Sequence, residues 1–166
     1  PAARRAVAAT RSGRVGVICT EATATSQAYD DAFAAAPQIE LHTAPCPRFV
    51  SFVEAGITGG PELLACAEGY LKPLQQADID TLILGCTHYP LLTGVISYVL
   101  GDNVSLVSSA EECAKDVYAA LTRRCLTHDQ PRNASYRFLT TGSPEAFEGV
   151  GHRLMGGLVV DAEQFV

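Results

Sequence analysis

Two rhythms of apolar and polar positions alternate along this chain. Short β-branched runs mark one of them. Arg14–Ile18 (RVGVI), preceded by Gly13, reads as a buried strand. Ile39–Thr43 (IELHT), Asp80–Leu84 (DTLIL), Val104–Val107 (VSLV) and Tyr136–Thr141 (YRFLTT) repeat that signal. The stretches between them carry helical spacing. Ser26–Ala35 is rich in Ala and is closed by Pro37. Phe49–Ala55 ends at Gly56. Pro61–Ala77 places Pro61 in a first turn and Leu63, Leu64, Ala67 and Leu71 on one face, with Pro73 expected to bend or end it. Leu91–Leu100 starts behind Pro90. Ser109–Arg124 offers Ser109 as a cap, Glu112 at capping-box spacing, and Arg123 and Arg124 in the last turn. Ser143–Met155 starts at Ser143 and Pro144.

This alternation predicts an α/β fold, a parallel sheet flanked by helices on both faces. The polar stretch Thr127–Ser135, which holds Pro131, is the expected linker. Ligands of such sheets bind outside the carboxyl ends of the strands. Three loops fall there: Cys19–Thr23 (CTEAT), Cys46–Phe49 (CPRF) and Gly85–Pro90 (GCTHYP).

Composition narrows the classes. In 166 residues, 48% are hydrophobic and 18% charged, enough for a core. Twelve Lys and Arg against eighteen Asp and Glu leave a net charge of −6. The basic pairs Arg4-Arg5 and Arg123-Arg124 are too short to reverse that, so no nucleic-acid partner and no anionic membrane surface is expected. No apolar run approaches the ~20 residues of a bilayer span. The opening PAARRAVAAT lacks the apolar segment of a signal peptide, and it starts at Pro1, so processing, excision or truncation all stay open. The six cysteines, Cys19, Cys46, Cys66, Cys86, Cys113 and Cys125, form no CxxC pair. They read as reduced thiols of a cytoplasmic protein, without zinc-type spacing and so with no metal.

Cys86 stands out among them. It lies where a buried strand opens into a helix, and N-terminal amides and a nearby imidazolium stabilise a thiolate at such a place. His88 is two residues on, and Thr87 and the loop amides could hold a carboxylate or ammonium group. Glu54 becomes a partner for His88 if the second loop folds over the same strand ends. A bland reading stands beside this one. A cysteine after a strand is often a small buried hydrophobe, the reading adopted for the other five. His88 could be a satisfied loop histidine, Glu21 and Glu54 solvated, and Thr20, Thr23 and Thr25 helix caps. His42, His128 and His152 read as structural or exposed.

The segment Leu82–Leu92 (LILGCTHYPLL) resembles the second-cysteine motif of the glutamate racemases, within the aspartate/glutamate racemase superfamily. Val15–Tyr29 resembles the family's strand and Thr-rich loop, with Cys19 where Gly is commoner. Cys46–Gly56 resembles its Cys-Pro…Val-Glu-x-Gly segment, and Leu106–Ala114 its Asp-Ser-Ala segment with Ser108 replacing Asp. Phe138–Phe147 resembles the closing strand and helix, so the likeness covers nearly the whole chain.

The resemblance implies inversion of the α-carbon of glutamate without pyridoxal phosphate or any other cofactor, supplying D-glutamate for peptidoglycan. One thiolate removes the α-proton and a second thiol delivers a proton to the far face. Carried over residue by residue, Cys86 is the second of the pair, His88 assists it and Glu54 supports His88. Thr87, Thr20 and Thr23 hold the substrate amino acid. The family's Asp-Ser-Gly, Pro-Tyr-Gly and Cys-Asn-Thr segments, the last with the first cysteine, do not occur in this sequence. The expectation is therefore one complete racemase lobe in residues 1–107 and, in 108–166, the return segments of the other lobe. Such a chain would begin just after the first-cysteine half, would expose an unpaired strand at Tyr136–Thr141 and would be inactive alone. A homodimer stays open. So do an aspartate racemase-type relative and a non-catalytic remnant acting as a binding module. A cysteine hydrolase using Cys86 and His88 is disfavoured, because i, i+2 placement is not the usual route to an activated nucleophile.

Overall fold

The structure, a computed structural model, describes residues 1–128 and 134–165. They form two compact units, Pro1–Leu126 and Thr127–Val166. The boundary falls at the start of the expected linker; its residues 129–133, with Pro131, lie outside the described residues.

In the first unit four strands make a parallel sheet in the order β2-β1-β3-β4: β1 Arg14–Cys19, β2 Glu40–Pro45, β3 Thr81–Leu84 and β4 Ser105–Ser108. The central pair is in register with Ile18 beside Leu84. The period of two sorts the strand side chains between two cores. Ile18, Leu82 and Leu84 pack with α4 (Arg48–Glu54), α5 (Pro61–Gln76) and α6 (Thr93–Leu100). Val15, Val17, Cys19, Ile83 and Val107 pack with α1 (Ala2–Ala9) and Phe33 of α3 (Ala28–Phe33). Helices thus flank the sheet on both faces.

Several elements differ in detail from expectation. α1 is absent from the expected elements; Ala2 and Ala6 bury a narrow face too small to register as hydrophobic periodicity. The expected helix Ser26–Ala35 is two short ones, α2 (Glu21–Thr25) and α3, separated by Gln27 in the left-handed region at φ 53°. α5 runs through Pro73, burying Leu63, Ala67, Leu71 and Leu74. A ring at that position removes one helical donor, and four buried side chains outweigh that loss. A 3₁₀ turn, Tyr89–Leu92, precedes α6. The cap of α7 (Ser109–Arg123) is Ser108, whose hydroxyl accepts from the Glu111 N–H, instead of the expected Ser109.

The second unit is slighter. β5 (Leu139–Thr140) pairs in parallel with β6 (Glu163–Gln164), and α8 (Pro144–Met155) is capped by Ser143, which accepts from the Ala146 N–H. The strand expected over Tyr136–Thr141 is only two residues long, because one partner strand cannot sustain a longer ladder here.

Candidate functional site

Strand β3 ends where the chemistry begins. All four of its residues are buried, and Gly85 follows with its N–H donated to the Ile18 carbonyl at 2.8 Å. A Cβ on residue 85 would stand 2.9 Å from that carbonyl and 3.0 Å from the Tyr29 ring, so the turn requires glycine. Tyr89 then anchors the far side. It is fully buried, packs edge-on against Phe49 with centroids 5.5 Å apart, and donates its hydroxyl to the Cys46 carbonyl at 3.0 Å. Between these anchors, Cys86 and His88 are half-buried and Thr87 is exposed.

The turn brings three of the expected residues into one chain. Cys86 Sγ lies 3.8 Å from His88 Nδ1, and His88 Nε2 lies 3.4 Å from Glu54 Oε1 at the end of α4. One imidazole therefore faces a thiol on one nitrogen and a carboxylate on the other. A carboxylate there favours the tautomer with a proton on Nε2, leaving Nδ1 to exchange a proton with sulfur. Thr87 Oγ1 also reaches Nδ1, at a long 3.5 Å.

Thr20 and Thr23 sit at the carboxyl end of β1, the strand beside β3. Thr20 caps α2 by accepting from the Thr23 N–H at 3.3 Å, and the two hydroxyls are 3.0 Å apart. The capping role weighed in the sequence is real for Thr20; Thr25 ends the helix instead. Their hydroxyls bond to each other, and the Cys86 and Thr87 side chains to His88. His42 lies on β2 with Nε2 3.2 Å from Glu40 Oε1, outside hydrogen-bond geometry.

The remaining cysteines divide. Cys19 and Cys46 are buried; burial first, and neighbouring thiols second, push both thiols up, which keeps them protonated. Cys66 is half-buried, and Cys113 and Cys125 are exposed, so the buried-hydrophobe reading fails for those last two. All six are free thiols. No group of three metal-ligating side chains occurs among the described residues, and no described helix is long and apolar enough to cross a membrane.

The first unit holds two cavities near the sheet. One, of about 490 Å³, lies between β2 and α5; the other, of about 330 Å³, is lined by Ala2, Tyr29, Ser109 and Cys113. Cys86 lines neither of these two. Sequence reasoning missed Tyr29 and Ser109, which back the turn. Their only signal was position, one just past the Thr-rich loop and one at the carboxyl end of β4.

A half-buried thiol, an imidazole and a carboxylate in line at the end of a parallel strand suit proton transfer at a carbon acid. The family model Asp/Glu/Hydantoin racemase matches residues 1–124. The chain belongs to that family. A glutamate racemase of Parafrankia is 64% identical over 157 residues, covering 94% of this chain and 57% of that protein. One from Saccharopolyspora erythraea is 59% identical, covering 98% of this chain and 60% of that protein. Among solved structures, a glutamate racemase isoform of Bacillus anthracis superposes with a TM-score of 0.87 at 36% identity, over 100% of this chain and 62% of that one. The glutamate racemase of Francisella tularensis in complex with D-glutamate gives 0.84 at 34% identity, over 93% and 58%. The chain thus spans about three fifths of the length of the relatives it matches.

Proposed function

We propose that this chain is the second-cysteine part of a glutamate racemase, which interconverts L- and D-glutamate without a cofactor and supplies D-glutamate for peptidoglycan. The observation that carries this reading is the Cys86–His88–Glu54 chain, at 3.8 and 3.4 Å, on a fold shared with glutamate racemases. Cys86 as thiolate takes the α-proton: the Cα–H bond breaks and an S–H bond forms. A second acid on the opposite face returns a proton to carbon. In the reverse direction the roles exchange. His88 shuttles the proton of Cys86, and Glu54 orients the imidazole. Thr87, Thr20 and Thr23 receive the carboxylate and ammonium groups of the amino acid.

Inversion needs groups on both faces of the carbon. In our reading residues 1–107 form the lobe that serves one face, residues 108–166 belong to the other lobe, and the opposing thiol comes from outside these 166 residues. The test is α-proton exchange of each glutamate enantiomer in deuterated water, followed by NMR. The 166-residue chain alone should not interconvert the enantiomers. Joined to the portion of the Saccharopolyspora relative that it does not cover, it should, and Cys86→Ser should reduce that activity by at least ~10³-fold. Exchange of both enantiomers by the 166 residues alone, or activity surviving Cys86→Ser, would overturn the assignment.

A further inference from the structure

The three loops at the carboxyl ends of β1, β2 and β3 meet on the backbone of one residue, Cys46. Its N–H donates to the Cys19 carbonyl at 2.8 Å, which ties the end of β2 to the residue before Thr20. Its carbonyl accepts twice. One proton comes from the Phe49 N–H at 3.1 Å and closes the turn that opens α4. The other comes from the Tyr89 hydroxyl at 3.0 Å, reaching in from 43 positions away in sequence. The Tyr89 N–H donates to the Cys86 carbonyl at 3.3 Å, so its backbone belongs to the reactive turn.

This junction bears on the site because of what stands at each end of α4. The helix has seven residues, with Cys46 just ahead of it and Glu54 at its last position. Phe49, Phe52 and Val53 are its buried side chains, and Phe49 packs edge-on against both Tyr89 and Tyr70. Apolar contacts hold a helix this short in place without fixing its direction, because hydrophobic burial is not directional. A hydrogen bond fixes both a distance and an angle. The Tyr89 hydroxyl supplies such a bond between the turn that carries His88 and the root of the helix that carries Glu54. His88 Nε2 and Glu54 Oε1, 3.4 Å apart, are thus the far ends of a frame closed at Tyr89 and Cys46.

The hydroxyl is suited to that task. Burial first, and the Cys46 thiol second, push the phenol up, so it stays a neutral donor while thiols titrate. The Cys46 carbonyl keeps the Phe49 N–H when the hydroxyl is removed, so no buried acceptor is left unpaired. Its loss should loosen the frame and leave the fold.

We propose that Tyr89 is a positioning residue for the proton relay: by holding the Cys46 carbonyl, its hydroxyl sets where Glu54 meets His88 and so how strongly the imidazole assists Cys86. The proposal rests on the reading of Cys86, His88 and Glu54 as one chain. Tyr89 is fully buried and acts through the backbone of α4.

The test uses the 166-residue chain and needs no turnover. Cys86 is alkylated with iodoacetamide at pH 7 and at pH 10 and quantified by peptide mass spectrometry, with exposed Cys125 in the same sample as reference. The titratable groups around Cys86 are His88, Glu54 behind it, Cys19 of β1, Tyr29 of α3 and Tyr89; the last three, pushed up by burial, stay neutral at pH 7. Glu54→Gln should slow Cys86 about threefold at pH 7, because an imidazole without its carboxylate is protonated less and stabilises a thiolate less. Tyr89→Phe keeps the ring. It should slow Cys86 about twofold at pH 7 and leave it unchanged at pH 10, where a thiol ionises without help. In the Glu54→Gln background Tyr89→Phe should do nothing more, because both act at one contact.

If Tyr89→Phe superimposes on the wild type while Glu54→Gln is slowed, the positioning role is wrong and the Cys86–His88–Glu54 chain stands. If Tyr89→Phe acts equally in both backgrounds, or as strongly at pH 10 as at pH 7, the hydroxyl is a packing element and the proposal falls. If Glu54→Gln also superimposes, the underlying reading fails and takes the proposal with it. Loss of the fold shows as alkylation of buried Cys19 and Cys46; sucrose, which favours burial, is then added and the comparison is made there. A Tyr89→Phe chain that sucrose does not restore would make the hydroxyl a folding residue and would also overturn the assignment.

Discussion

Strands β3 and β5 arise from similar apolar runs, DTLIL and YRFLTT, and ended differently. β3 is four residues long, entirely buried and paired on both edges. β5 is two residues long, exposed to half-buried, with β6 as its one partner. Their neighbours differ as well. Leu82 and Leu84 meet α5 and α6, and Ile83 meets the α1 side. Around β5, Tyr136, Leu139, Phe147, Met155 and Phe165 all keep a third or more of their surface in water. A strand signal states that a segment can pair and bury both faces; whether it does depends on what the fold brings alongside. The same contrast separates a site that can be built from one that cannot. The GCTHYP turn is fixed because the strand beneath it is covered on both faces.

Four substitutions sharpen or break this contrast. The largest effect should come from Leu82→Ala, which empties fully buried space in the first core and should cost about 3 kcal/mol in urea unfolding. Leu139→Ala, at a 43% exposed position, should cost no more than about 1 kcal/mol; equal losses would break the comparison.

Asp80 comes next. It precedes β3 and accepts from Thr10 Oγ1 at 2.6 Å, from the N–H groups of Arg11 and Ser12 at 2.7 Å each, and from Thr81 Oγ1 at 3.0 Å. Burial alone would raise its carboxyl, yet these four donors outweigh burial and hold it well below the usual carboxylate range. A depressed folded pKa means the unfolded chain takes up the proton first. The stabilisation is thus complete above roughly pH 4 to 5 and is lost progressively as the pH falls below that. Asp80→Asn should cost about 2 kcal/mol at neutral pH and flatten the acid limb of a stability–pH curve. A steep acid limb that survives the substitution would assign it elsewhere.

The smallest effect belongs to the second unit's own ion pair. Arg137, just before β5, meets both carboxylate oxygens of Glu163 at 3.0 and 2.6 Å, on the exposed surface. Arg137→Ala should leave thermal unfolding nearly unchanged, and 0.5 M salt should erase what difference remains. A salt-insensitive loss would show that the short ladder depends on this pair.

What the amino-acid order determined by itself was local. The β-branched runs, the capping residues Ser143 and Thr20, Pro61 at the start of α5 and the Gly-Cys-Thr-His-Tyr-Pro turn act over a few residues, through backbone sterics and hydrogen bonds that need no distant partner. They were enough to read an α/β alternation and to single out Cys86. Tertiary structure alone decided the strand order β2-β1-β3-β4, the meeting of Glu54 with His88 across 34 positions of chain, and the diversion of Ser109 from cap to Leu84. It also let α5 pass through Pro73 and cut β5 to two residues. These outcomes turn on which surfaces can be buried together, and no short window of sequence holds that information.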